Sequence, residues 1–212
     1  VSLGNASNSG YGKYRVMVDI MGSRYLGGNT LLFVVDGLYG GGSNETKVPV
    51  KYFMPPFNND WSNSVFMSQD QVALESVCYD FLRSEWNGTY KHSQANNEYE
   101  DIPNVNGVDD YLHQAADPSN WPSKIKYDPD NSGKPLGSLG THEHWNDPVN
   151  KQYSRNLGLS SGIELISIPD NLVKTTETAS VSGSVVQNPR STDTNTEAGK
   201  KVTPGKKATE EG

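Results

Sequence analysis

From Lys13 to Met21 the chain reads KYRVMVDIM, with Tyr14, Val16, Val18 and Ile20 at every second position. That alternation predicts a strand with four apolar side chains on one face. Next comes GGNTLLFVVDGLYGGG, apolar without a break from Leu31 to Val35. A run of that length predicts a strand buried on both faces, as in sheets covered by helices. SQDQVALESVCYDFLRSEW carries the clearest helical signal: Leu74, Val77, Cys78, Phe81 and Leu82 recur at three- and four-residue steps and form one apolar face. Ser68 and Gln71 stand at capping-box spacing before it, and Asp70 brings negative charge to the helix's positive end.

Further on, the pattern predicts a short helix at Asp109–Ala116, stopped by Asp117-Pro118 because a proline disfavours helix in the residue before it. KIKYDPDNSGKPLGSLGTHEHW predicts two strands about a DPDNSG turn, and GIELISI, from Gly162 to Ile168, a final buried strand. DPDNSG also has the opening spacing of a calcium loop, but Leu139 stands where that loop needs a glutamate, so a tight turn is the expectation. Together these elements predict an α/β fold: a mixed sheet covered by helices, with long irregular loops.

Composition adds boundaries. Only 33% of residues are hydrophobic, and every aromatic lies between Tyr11 and Tyr153. Residues 1–12 are rich in Gly, Ser and Asn and read as a flexible entry. Residues 171–212 are mainly Thr, Ser, Gly, Pro and charge, unable to bury enough apolar surface to offset the entropy of ordering. A disordered C-terminal tail is expected there, which leaves 13–170 as the folded domain. The net charge of −7 and the lack of a basic stripe argue against nucleic-acid binding. The one cysteine, Cys78, excludes an intrachain disulfide or an iron–sulfur cluster made by this chain alone, and its place on an apolar helix face predicts a buried thiol. No phosphate loop or GxGxxG spacing points to a nucleotide cofactor, and no apolar run is long enough to span a membrane.

Candidate chemistry concentrates in LGTHEHWND, Leu139–Asp147, which holds two of the four histidines. If THEHW is extended, His142 and His144 share a face and present both imidazoles together, the start of a zinc, iron or manganese site or of a proton-transfer pair, or else two hydrogen-bonded structural histidines. Asp147, three residues past His144, is taken with them, so His142, His144 and Asp147 form the expected ligand set. Asp36, His113 and Asp109 are further candidates to complete the shell. Asp36 follows an apolar strand and precedes glycines, a position where α/β sheets place sites. The expected catalytic group is therefore His142, His144, Asp147 and Asp36. Asn58, Asn59, Asp60 and Trp61 lie in a proline-bounded loop and, with Trp145, suit a small-molecule or glycan ligand; as turn formers, the loop residues are equally ordinary. Arg155 offers a planar fork for an anionic group. A hydrolytic site using a divalent transition metal or a His/Asp acid–base pair is the leading expectation. A non-catalytic surface module for polysaccharide is the alternative.

GGNTLLFVVDGLYGGG, PFNNDWSNSVFMSQDQVALESVCYDFLRSEW, DDYLHQAADP and SLGTHEHWNDPVNKQYSRNLG, in that order, resemble the bacterial family known as domain of unknown function 362 (DUF362). The resemblance covers about Lys13 to Ile168. It implies an exported, extracytoplasmic bacterial protein, and a chain continuous with an N-terminal half that precedes the matched region in complete members. It supplies no catalytic residues. The ferredoxin-like cysteine clusters of some relatives have no counterpart beside Cys78.

Overall fold

A computed structural model describes residues 10–41, 49–85 and 106–168. Most of the flexible entry and all of the C-terminal tail expected from composition lie outside the described residues. The fold is mixed α/β, with helices packed on small antiparallel sheets. In chain order it comprises α1 (Val16–Gly22), β1 (Phe33–Gly37), β2 (Gly40–Gly41), β3 (Pro49–Val50), β4 (Ser64–Ser68), α2 (Gln71–Glu85) and α3 (Asp110–Ala116). β1 pairs antiparallel with β4, Phe33 opposite Ser68 and Gly37 opposite Ser64, while β2 and β3 pair within the connection between them.

The segment expected as the first strand is helix α1. Val18 and Met21, three residues apart, are its buried pair, packed with Val72, Leu112, Ala115 and Tyr127. Its β-branched residues favour a strand locally, and the docking of that pair against α3 overrides the preference. Arg15 fixes the entry to the helix through its Nε, 2.8 Å from Asp110 Oδ2.

β1 also departs from expectation. Leu31, Leu32 and Val34 are exposed, and burial alternates along the strand. The ladder is only two strands wide and its inner face lies on α2, so a single face is covered. α2 matches its apolar pattern at Leu74, Val77 and Phe81, whereas Leu82 is exposed. Its cap is Asp70 rather than Ser68: Asp70 Oδ1 accepts from Ala73 N at 2.9 Å, and Ser68 Oγ instead accepts from Asp70 N. Glu85, buried at the other end, takes the backbone N–H groups of Phe53 and Met54.

After α3 the chain wraps the helices without regular strands. DPDNSG is the expected turn: Asp128 accepts from Ser132 N, Ser132 Oγ and Gly133 N. The strands predicted around it and at Gly162–Ile168 do not form. Ile163 is buried with Val77, Phe81 and Tyr153, but side chains rather than a strand partner satisfy this segment: Glu143 accepts from Ile163 N, and Asn156 from Leu165 N.

Candidate metal site

Asp109, the N-cap of α3, and His113, in its last turn, are four residues apart, so both project from one side of the helix. The extended segment 139–145 is laid against that side from the other direction. Leu139 N donates to Ala115 O of α3, and Thr141 N donates to Asp70 Oδ2, the carboxylate that caps α2. Gly140 permits this close approach, since a Cβ there would run into the Asp70 side chain and Val72. Side chains then alternate. His142 and His144 face the helices, while Glu143 turns the other way to accept from Ser154 N, Ser154 Oγ and Ile163 N. The donor atoms of Asp109, His113, His142 and His144 all come within 4.8 Å of one another.

Helix α2 orients two of these imidazoles. The Ser76 hydroxyl donates its only proton to Val72 O at 2.7 Å, so at 2.8 Å from His142 Nδ1 it can only accept. His142 is thereby held as the Nδ1–H tautomer, with a lone pair on Nε2. That Nε2 is buried and has no hydrogen-bond partner. Burial, then the neighbouring histidines His113 and His144, push the His142 pKa down to about 4, which keeps the ring neutral. The other buried nitrogen without a partner, Trp145 Nε1, carries a proton and cannot be a ligand.

His144 is held differently. Its Nδ1 lies 2.7 Å from Asp80 Oδ1, and its Nε2 3.4 Å from Asp109 Oδ2. Asp80 is itself fixed by Trp145 N and the Tyr153 hydroxyl on its second oxygen. Hydrogen bonding to Asp109 and then Asp80 raises the His144 pKa to about 9. Asp109 also accepts from the Tyr11 hydroxyl at 2.8 Å. Burial pushes the Asp109 carboxyl up, but the hydrogen bonds from His144 and Tyr11 outweigh it and leave the group below the ordinary carboxylate range. Tyr11 is pushed up to about 12, by burial and then by the same bond.

These residues can hold a metal ion. Ligands at roughly 2.1 Å from a tetrahedral ion stand about 3.4 Å apart. Asp109 Oδ2 lies 3.4 Å from His144 Nε2 and 3.7 Å from His113 Nε2, close to that spacing. His113 and His144 are each 35% exposed, so one side of the group meets solvent.

The other expected site residues lie apart from this group. Asp147 closes a turn of its own, accepting from Val149 N, Asn150 N and Asn150 Nδ2. Asp36 lies in β1 and accepts from Leu38 N. Asn58 and Asn59 adopt left-handed backbone in a turn where Asn59 N donates to Tyr52 O, and Asp60 accepts from Trp61 N. Trp61 packs edge-on to Tyr39. Trp145 packs its ring against Phe81, and Arg155 pairs with Glu164 at 3.1 Å. Of the expected group, the structure brings together His142 and His144, joined by Asp109 and His113. Nothing in the chain's patterning points to Tyr11 or Tyr153, whereas Ser76 and Asp80 carry a signal: two polar residues one turn apart among the apolar positions of an amphipathic helix.

A separate hollow of about 350 Å³ lies between α1 and β1, with walls that include Met17, Ile20, Leu26, Phe33 and Val35. It is mainly apolar and contains none of the four donors, so chemistry outweighs size in placing the site. Cys78 is remote in kind as well: burial pushes its thiol up to about 12, unlike a thiolate ligand. Among the described residues no helix is long and apolar enough to cross a membrane. No known family model, curated protein or solved structure matches the chain, so the DUF362 resemblance rests on its sequence motifs alone.

Proposed function

We propose that Asp109, His113, His142 and His144 bind one divalent transition metal, zinc, iron or manganese, and that the protein is a metal-assisted hydrolase. The observation that carries the binding is the buried, unpartnered Nε2 of His142, on a residue grouped with three other possible ligands. A purely structural reading accounts for His144 as an imidazolium between Asp80 and Asp109, but it leaves a polar nitrogen buried without a bond, which costs roughly 1–3 kcal/mol. A cation removes that cost and uses all four groups. Three imidazoles and a carboxylate, without thiolate, suit this class of ions.

The hydrolytic part of the reading is supported by solvent access at His113 and His144. With a fifth position open on that exposed side, a metal held there would lower the pKa of a bound water and supply a nucleophile near neutral pH. The protein's own groups then set the position of the ion and the charge around it. Purified protein stripped with chelator and reloaded should take up one equivalent of zinc, iron or manganese, and His142→Ala should abolish stoichiometric uptake. Wild-type protein that binds none of the three at micromolar concentration overturns the proposal. If metal binds, a screen of ester, phosphoester and amide substrates with loaded and stripped protein tests hydrolysis.

A further inference from the structure

Asp80 and Ser76 lie one turn apart on α2, and each contacts the Nδ1 of one of the two histidines that also stand two residues apart. The two partners differ in kind. Ser76 is a neutral hydroxyl whose proton is already given to Val72 O, while Asp80 is a carboxylate held from behind by Trp145 N and Tyr153 Oη. Both are almost wholly buried, Ser76 at 0% and Asp80 at 4% exposure. Neither reaches the ion position directly; each acts on the imidazole between.

Resting on the metal reading above, we infer that Asp80 and Ser76 are positioning residues that make the two imidazoles unequal ligands: His144 a strong donor backed by a carboxylate, His142 a weaker donor fixed in tautomer by a hydroxyl. A carboxylate behind a ligating imidazole fixes the ring and raises its basicity. A hydroxyl that only accepts fixes the ring without adding charge. Helix α2 therefore does two jobs with one face. Val72, Val77 and Phe81 build the core, while Ser76 and Asp80 set the direction and donor strength of ligands carried on a segment with no regular structure of its own.

The arrangement predicts a hierarchy among outer residues. Replacing the carboxylate should disturb the ion more than replacing the hydroxyl. Removing Tyr153's hydroxyl, which holds Asp80 from the side away from His144, should loosen the fold while leaving the ion's surroundings largely intact.

The test uses Co²⁺ as a visible probe on the full chain. Asp80→Asn should bind Co²⁺ about 10–100-fold more weakly than wild type, and its visible absorption at saturation should shift because His144 has lost its anionic partner. Ser76→Ala should weaken binding less and perturb the spectrum less. Tyr153→Phe should lower the melting temperature with a wild-type Co²⁺ spectrum. Wild-type affinity and spectrum in Asp80→Asn, or equal effects in Asp80→Asn and Tyr153→Phe, would overturn the inference. Should Asp80→Asn fail to fold, Ser76→Ala decides: a spectrum and affinity identical to wild type removes the proposed role of the helix. Wild-type protein that binds no Co²⁺ overturns the metal reading itself, a result separate from any of these.

Discussion

Two polar networks meet at the start of α3, built from adjacent residues, and they end differently. Asp110 and Gln114 lie on one side of the helix, Asp109 and His113 on the next. On the first side every group finds a partner. Asp110 takes Arg15 Nε, Gly12 N, Lys13 N and Gln114 Nε2; Tyr127 donates to Gln114 Oε1 and accepts from Arg15 N. On the second side the bonds run short: His142 Nε2 has none, and Asp109 meets His113 and His144 only at 3.7 and 3.4 Å. The same helix, one residue apart in phase, thus carries a network closed on itself and one that leaves donor capacity turned inward. Closure is what structural polar groups achieve. The open lone pair of His142 belongs to a group of residues that could hold a metal ion.

The sharpest way to break this contrast is to damage the closed network. Asp110→Ala leaves the buried guanidinium of Arg15 without its carboxylate and should cost about 3–5 kcal/mol in urea unfolding, while folded variant protein keeps its metal stoichiometry. Loss of metal together with stability would show the two networks to be one. Next in size is the open network's response to its ligand. Zinc at a hundred times its dissociation constant should stabilise wild-type protein by about 2.7 kcal/mol, a shift that His142→Ala should eliminate. That stabilisation should fade in acid, because coordinating nitrogens must be unprotonated and protons compete for them. A shift independent of pH, or one that survives His142→Ala, would place the ion elsewhere. Gln114→Ala, which strips Tyr127 Oη and Asp110 of a partner each, should cost about 1–3 kcal/mol with metal affinity unchanged. The smallest effect belongs to Asp147→Asn. As a turn-forming carboxylate outside the cluster it should leave stability little changed and metal uptake unchanged; reduced uptake would return it to the ligand set.

Part of this site was legible in the chain. THEHW gave two imidazoles on one face because any extended segment alternates. The motif says nothing of what that face meets. Asp147, three residues past His144, was the expected third ligand, yet a turn consumes it through the backbone N–H groups two and three residues on. The partners that do arrive, Asp109 and His113, lie some thirty residues earlier, with only a four-residue helical spacing to connect them to each other. Ser76 and Asp80 interrupt the apolar face of α2 at the place where it contacts the histidines. The α1 pattern misled for a related reason, since Val16, Val18 and Ile20 fit a two-residue period while burial followed the three-residue pair Val18 and Met21.

By itself the sequence determined the α2 helix, the turn at Asp128 and the shared face of His142 and His144, because each depends on residues within a turn or two of one another. Tertiary structure alone decided whether the Tyr14–Met21 stretch would be strand or helix, which carboxylate would join the imidazoles, and which ring nitrogen would be left open. Those outcomes depend on what lies across the interface: α3 for the first two, Ser76 and Asp80 for the third. Local spacing directs a side chain toward a face, but only packing between distant segments supplies the partner waiting there.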